Sequence, residues 1–447
     1  MGVTTTDTHS AIDAVWRIES PRLIAGLTRI VRDVGVAEDL AQDALVAALE
    51  QWPKSGVPDS PGAWLMAAAK HRAIDHFRRT QRLDRKHEEL GREGIIQKVG
   101  TREVRAGEAP MDELDAALDD DVGDDLLRLV FISCHPVLST ESQVALTLRL
   151  LGGLTTDEIA RAYLVPEPTV AQRIVRAKRT LSEAQVPFEV PRGAELAARL
   201  SSVLAVIYLV FNEGYAATAG DHWLRPALCE DALRLGRILA ELAPQEPEVH
   251  GLVALMEIQA SRSRARVGPS GEPILLLEQN RAHWDQLLIR RGFAALERSE
   301  KIRSEKLRTK QTRGGKAAGL RGPYVLQAEI AACHARARTP EETDWARIVE
   351  LYGELAESSP SPVVELNRAV AVGMAFGPAA GLELADKLIS EPALEKYHLL
   401  PGVRADLLKK LGRLEEARAE FERAAAMTRN VRERALLLAR AKACSAN

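Results

Sequence analysis

The sequence predicts an all-α protein: two small helical domains joined by a flexible linker, then a helical-repeat, tetratricopeptide-like C-terminal domain. Three observations predict it. Leu, Ala, Arg and Glu dominate the 447 residues while aromatics are only 4%, a bias toward helices over sheets. Apolar residues recur at helical spacing in runs punctuated by Pro and Gly. No stretch alternates apolar and polar residues as a half-buried strand would. The length calls for two to four compact units.

Hydrophobic residues at 46% and charged residues at 28% give the balance of a soluble globular chain. The formal net charge of -3 hides an alternation of sign along the chain, so local patches must decide about nucleic acid. Cys134, Cys229, Cys333 and Cys444 are too far apart in sequence for a metal knuckle or a disulfide framework. They read as small buried hydrophobes of a reducing compartment. The N-terminal MGVTTTDTHS lacks a secretory signal, and the longest apolar run, Val203 to Phe211, is less than half a membrane span. The expected location is the cytoplasm, with no membrane partner.

In chain order, helical periodicity runs from Ala11 to Trp52 with a break near Gly35. A Pro/Gly/Ser loop follows from Pro53 to Pro61, and a further helix runs from Gly62 to about Arg82, capped by Asp59 or Ser60. From about Gly91 to Asp125 the pattern dissolves into a linker that ends strongly acidic. Helices resume from Leu126 to about Glu183, Pro187 and Pro191 mark a boundary, and from Ala194 onward nearly everything is helix-like. One interruption, Arg298 to Arg321, is basic and glycine-dotted and reads as a disordered loop. The division is therefore 11–82, a linker at 83–125, 126–185, 194–297, a basic loop at 298–322, and repeats at 323–442.

LTTDEIARAYLVPEPTVAQRIVRAKRTL is the sharpest local signal. Thr155 or Thr156 can cap a first helix, with Glu158 as capping-box partner and Ile159, Ala160 and Leu164 facing inward. After a turn at Val165–Pro166, a second helix from Glu167 buries Val170, Ile174 and Leu181. This is a helix-turn-helix whose second helix would present Pro168, Thr169, Ala171, Gln172 and Arg173 to the major groove. Gln172 and Arg173 are the chemically capable base readers, for adenine and guanine edges respectively. Arg176, Lys178 and Arg179 would hold phosphates. The competing reading is an ordinary helical hairpin with a basic outer face.

Two earlier phrases matter. In AEDLAQDALVAAL an apolar stripe of Leu40, Ala44, Leu45 and Ala48 leaves Glu38, Asp39, Gln42 and Asp43 on other faces, an acidic side suited to a basic partner helix. By itself that side is more simply a solvated surface. In PGAWLMAAAKHRAIDHFRR, Leu65, Ala69, Ala73 and Phe77 face inward with Trp64, leaving Lys70, His71, Arg72, Arg78, Arg79 and Arg82 outside. Such a basic helix after a loop can grip DNA phosphates, or can simply be solvated.

Together these phrases resemble the extracytoplasmic-function sigma factors of the sigma-70 class. AEDLAQDALVAAL is similar to the polymerase-binding helix of region 2, PGAWLMAAAKHRAIDHFRR to its −10-reading stretch, and the helix-turn-helix to the −35 reader of region 4. The resemblance implies RNA polymerase core and promoter DNA as partners. Asp39, Gln42 and Asp43 would face the clamp helices of the polymerase, and Pro53 to Pro61 would hold a flipped −10 base. Lys70, His71, Arg72, Arg78 and Arg79 would contact the −10 strands. Pro168, Thr169, Ala171, Gln172, Arg173, Arg176 and Lys178 would contact the −35 element. The family usually has asparagine where this chain has His71, so its −10 base preference does not carry over. FISCHPVLSTESQVALTLRLLGGLTTDEIARAYLVPEPTVAQR, VLAVIYLVFNEGYAA and SPVVELNRAVAV extend the resemblance to a subgroup with a long tetratricopeptide-like extension, covering about residues 12 to 440. Arg298 to Arg321 looks like an insertion.

In the C-terminal half, Leu408, Gly412, Leu414, Ala417, Phe421 and Ala424 have the spacing of a tetratricopeptide helix pair, and Gly377 lies about one repeat upstream. Asn212, Glu213, Gly214, Tyr215, His222 and Trp223 form a polar and aromatic cluster. It reads as a helix stop at Gly214 more readily than as a ligand or partner site. No nucleophile–base pairing, phosphate loop or metal cluster is visible, so neither enzyme activity nor a cofactor is expected. The function expected is a sigma factor whose C-terminal array modulates initiation through DNA, polymerase or a regulatory protein. An ordinary helix-turn-helix regulator is the alternative, and residues 37 to 79 argue against it.

Overall fold

The computed structural model describes residues 5–75, 122–163, 165–217, 219–220, 223–312 and 321–445. These are almost entirely helical, and they divide into two compact units, Met1–Val206 and Ile207–Asn447.

In the first unit, α1 (Thr5–Val31) is followed by α2 (Val34–Ser55) and by α3 at 61–75. The expected break at Gly35 falls earlier. Arg32 takes a left-handed φ of 54°, and the Asp33 carboxylate accepts from the Val36 N–H, so Asp33 caps α2 and Gly35 lies in its first turn. The helix also runs past Trp52 and Pro53 to Ser55, which shortens the expected loop, and Gly56 ends it with a φ of 83°. Leu23, Ile24 and Leu27 of α1, Ala37, Leu40, Ala41, Ala44 and Ala48 of α2, and Leu65, Ala69 and Ala73 of α3 are all buried. Trp52 is buried edge-on to Trp64, with ring centroids 5.3 Å apart.

Residues 122–125, the last of the expected linker, are already helical, because α4 spans Val122–Ser133. Asp125 is buried between Arg29 at 3.1 Å and Arg128 at 2.6 Å, a structural carboxylate rather than a tether residue. Then come α5 (Thr140–Leu150), α6 (Thr156–Tyr163) and α7 (Glu167–Glu183). Arg199, near the start of α8 (Gly193–Tyr215), is buried on this unit and donates to the Phe131 carbonyl at 2.8 Å. By length and composition, Glu195–Tyr215 is apolar enough to cross a membrane. However, Leu200, Val203, Leu204, Val206, Ile207, Val210 and Phe211 are all buried within the protein.

In the second unit, successive helices pack on one another in chain order, from α9 (Pro226–Leu242) and α10 (Pro247–Ala260) onward. From 298 to 312 the expected basic loop is helix, since α11 spans Gln286–Thr312, and residues 313–320 lie outside the described residues. Ile302 is buried there, and Ser299 donates to the Pro247 carbonyl at 2.9 Å. Next come α12 (Pro323–Arg336), α13 (Trp345–Ser358), α14 (Pro362–Ala375) and α15 (Pro378–Lys387). The series ends with α16 (Leu399–Lys410), α17 (Leu414–Met427) and α18 (Val431–Ala443). Leu408, Ala417, Phe421 and Ala424 are buried together, and Gly412 turns between α16 and α17 with a φ of 79°. The two ends of the array meet. Ala219–Gly220 pairs in parallel with Arg429–Asn430, and the fully buried Asn430 donates to the Ala217 carbonyl at 3.0 Å.

The helix stop expected at Gly214 falls one residue later, at Tyr215, so Gly214 itself is still helical. A Cβ at Gly214 would lie 2.7 Å from the Cys229 nitrogen, so glycine permits a close approach there. Glu213 of the same cluster pairs with Arg225 at 2.6 Å, and His222 lies outside the described residues. All four cysteines are free and buried.

Candidate nucleic-acid interface

The helix-turn-helix forms as spaced. Thr155 is its N-cap, accepting from the Glu158 N–H at 3.2 Å, while Glu158 accepts from the Thr155 N–H at 2.8 Å. Glu158 also meets Arg17 of α1 at 2.5 Å. Ile159 and Ala160 are buried, and Leu164 lies outside the described residues. Val170, Ile174, Ala177 and Leu181 of α7 face inward. Pro168 sits in the first turn, where its missing N–H costs nothing. Pro168, Gln172, Arg176 and Arg179 are exposed, while Thr169, Ala171 and Arg173 are partly so.

Lys178 behaves differently. Its Nζ lies 2.5 Å from Glu38 Oε2, an ion contact, and 3.6 Å from Asp39 Oδ1, so its side chain is mostly covered. Glu38, expected on an outer face of α2, is instead buried. It also accepts from Arg149 Nε at 2.6 Å and from Gln42 Nε2 at 2.6 Å. Burial alone would raise this carboxyl, yet Lys178 and Arg149 together hold it below its ordinary range. The residue at the centre of the arrangement is thus one that pattern reading puts in solvent. Its one sequence signal is its place three residues before the buried Ala41.

Asp39 and Asp43 are exposed, whereas Gln42 is half-buried against Glu38, so one edge of the acidic face is engaged within the chain. Leu45, expected in the apolar stripe, is only half-buried. On α3, His71 is exposed, Lys70 is half-buried, and Arg72 donates to the Ala68 carbonyl at 3.1 Å. Phe77, Arg78, Arg79 and Arg82 lie outside the described residues.

Buried Glu38 thus ties the acidic helix α2 to the second helix of the helix-turn-helix, and comparison with known proteins finds a matching family for each of the two segments. Residues 16–83 match Sigma-70 region 2, 128–181 match Sigma-70 region 4, and 199–300 match a family of unknown function (DUF6596). An uncharacterised protein of Rhizobium meliloti is 40% identical over 93% of this chain and 92% of its own length. The probable ECF RNA polymerase sigma factor SigI of Mycobacterium tuberculosis is 25% identical over 40% of this chain and 57% of its own. The ECF sigma factor SigC of the same organism is 28% identical over 33% and 70%. No solved structure matches. The chain belongs to the extracytoplasmic-function sigma factors of the sigma-70 class, with a long C-terminal helical extension.

Proposed function

We propose that the chain seats on RNA polymerase core through Asp39, Gln42 and Asp43 and reads a promoter at two places. Lys70, His71, Arg72, Arg78 and Arg79 would meet the −10 element. Pro168, Thr169, Ala171, Gln172, Arg173, Arg176 and Lys178 would meet the −35 element. The observation that carries this is the order of the two sigma-70 regions together with the exposure of Asp39, Asp43, Gln172 and Arg176 on helices whose other faces are packed. The site of action is the cytoplasm.

The Glu38 contact gives this reading a resting state. While Lys178 is held by Glu38 and Asp39 its ammonium is directed to carboxylates rather than to a phosphate, and Asp39 is partly neutralised by Lys178. Polymerase docking and −35 binding therefore both draw on groups that the closed arrangement uses, and each favours opening. The C-terminal array would tune this balance through DNA, polymerase or a regulatory protein. Its helix pair at 399–427 carries the tetratricopeptide-like spacing that would give it a partner-binding groove.

The test is reconstituted transcription from the chain's own upstream region with core polymerase. The full chain should initiate without another sigma factor, and Asp39→Ala/Asp43→Ala should weaken core binding while leaving the helical content unchanged. Transcripts that appear only when a second sigma factor is supplied would make the chain an accessory regulator. A chain cut after Val190 tests the array. The cut also removes Arg199 from the Phe131 carbonyl, so Arg199→Ala in the full chain is the control.

A further inference from the structure

The C-terminal array holds a cavity of about 240 Å³ with a polar lining and no carboxylate among its lining residues. Arg262 enters it and is only 9% exposed. Among the described residues no acidic group pairs with Arg262, and its Nε has no hydrogen-bond partner. Its guanidinium is flanked by the rings of Tyr215 and Trp284, with centroids at 5.7 and 5.8 Å.

The neighbouring cations add to the uncompensated positive charge. Arg281 is spent on neutral acceptors, the carbonyls of His334 and Ala337 at 2.8 and 2.6 Å and the Thr343 hydroxyl at 3.0 Å. Arg266 lies 3.6 Å over the Tyr215 ring and donates to the Tyr215 carbonyl. His334, also on the cavity wall, is buried, and its Nδ1 has no partner. Gln259 and Asn367 add amide groups, and Gln327, which accepts from the Tyr208 hydroxyl and donates to the Pro323 carbonyl, keeps its second amide hydrogen to donate. A buried, unpaired guanidinium is costly unless a counter-charge reaches it. Here the surroundings supply aromatic faces and amides, but not the anion.

We propose that this cavity is a binding site for a compact oxyanion, a carboxylate or a phosphate. Arg262 supplies the charge, and Gln259, Gln327 and Asn367 supply hydrogen bonds. The array would then be a sensor of a small anionic solute, independent of how the N-terminal unit reads DNA.

The experiment is calorimetric titration of the full chain with acetate, malonate and inorganic phosphate, at constant ionic strength set with chloride. At least one probe should bind saturably, and which one does separates a carboxylate from a phosphate site. Arg262→Met should weaken that binding by about tenfold or more. Asn367→Ala, which leaves the buried charge in place, should weaken it less, and Arg176→Ala on the DNA-reading helix should not change it. Absence of saturable binding by all three probes overturns the proposal. So does binding that Asn367→Ala and Arg262→Met leave unchanged, or that Arg176→Ala abolishes.

Discussion

Lys178 of the second helix of the helix-turn-helix stands 2.5 Å from Glu38 of the acidic N-terminal helix, and only 18% of its side chain and 3% of Glu38's are exposed. Two positions 140 residues apart in sequence thus share one mostly dry ion contact, with Arg149 as a third member. Such a pair contributes little net stability over an apolar substitute, yet removing one member strands the others.

Glu38→Gln should therefore destabilise the N-terminal unit by roughly 3 kcal/mol, because Arg149 and Lys178 lose their counter-charge. Lys178→Met should cost less, since Arg149 still faces Glu38. The double variant should fall short of the sum by about 0.5–3 kcal/mol. Urea denaturation followed by circular dichroism measures all three. Strictly additive losses would show that the two side chains do not interact in solution.

The same contact has a pH signature. The Glu38 carboxyl is depressed when folded, despite burial, by Lys178 and Arg149. Its contribution is thus complete above the unfolded carboxylate value of about 4.3 and is lost as pH falls through the lower folded value. Wild type should lose stability faster than Glu38→Gln below about pH 5, and the two denaturation curves should converge with acid. Parallel curves down to acid pH would place the titration elsewhere.

What pattern can read is local. The Thr155–Glu158 capping box, the inward faces of the helix-turn-helix and the Gly412 turn depend on near neighbours, and all are legible. What it misses depends on distant partners or on backbone geometry. Glu38 looks solvated until Arg149 arrives 111 residues later. Asp125 looks like part of an acidic tether until Arg29 meets it. The break near Gly35 is legible, but its place is not: a left-handed arginine at Arg32 followed by the Asp33 cap makes the turn, not the glycine. In the basic segment, charge and later glycines mask an ordinary helix stabilised by Glu300–Arg303 at 2.5 Å and by buried Ile302.

The exposed side chains of the recognition helix should separate by role. Gln172→Ala should cost about 1–3 kcal/mol on the preferred −35 sequence and relax discrimination at one base position. Arg176→Ala should weaken all sequences nearly equally and lower the salt slope by about 1. Binding of the polymerase holoenzyme to −35 variants at several salt concentrations measures both. A uniform loss from Gln172→Ala would move it among the phosphate contacts.

Two glycines within helices should respond to alanine with opposite signs. In an open helix, alanine is favoured over glycine by about 1 kcal/mol. A methyl group added at Gly353 would meet nothing within 4 Å, so Gly353→Ala should stabilise the array by nearly that amount. At Gly214 the added carbon would sit 2.7 Å from the Cys229 nitrogen and 2.9 Å from its sulfur. The first neighbour is backbone and cannot swing away, so α8 and α9 must separate. Overpacking of this kind costs about 1–3 kcal/mol, which outweighs the helix preference, and Gly214→Ala should be destabilising overall. Thermal unfolding of both variants beside wild type reads the signs directly. If Gly214→Ala proved as stabilising as Gly353→Ala, the close approach of the two helices at Cys229 would be wrong, and Gly214 would be an ordinary helical glycine.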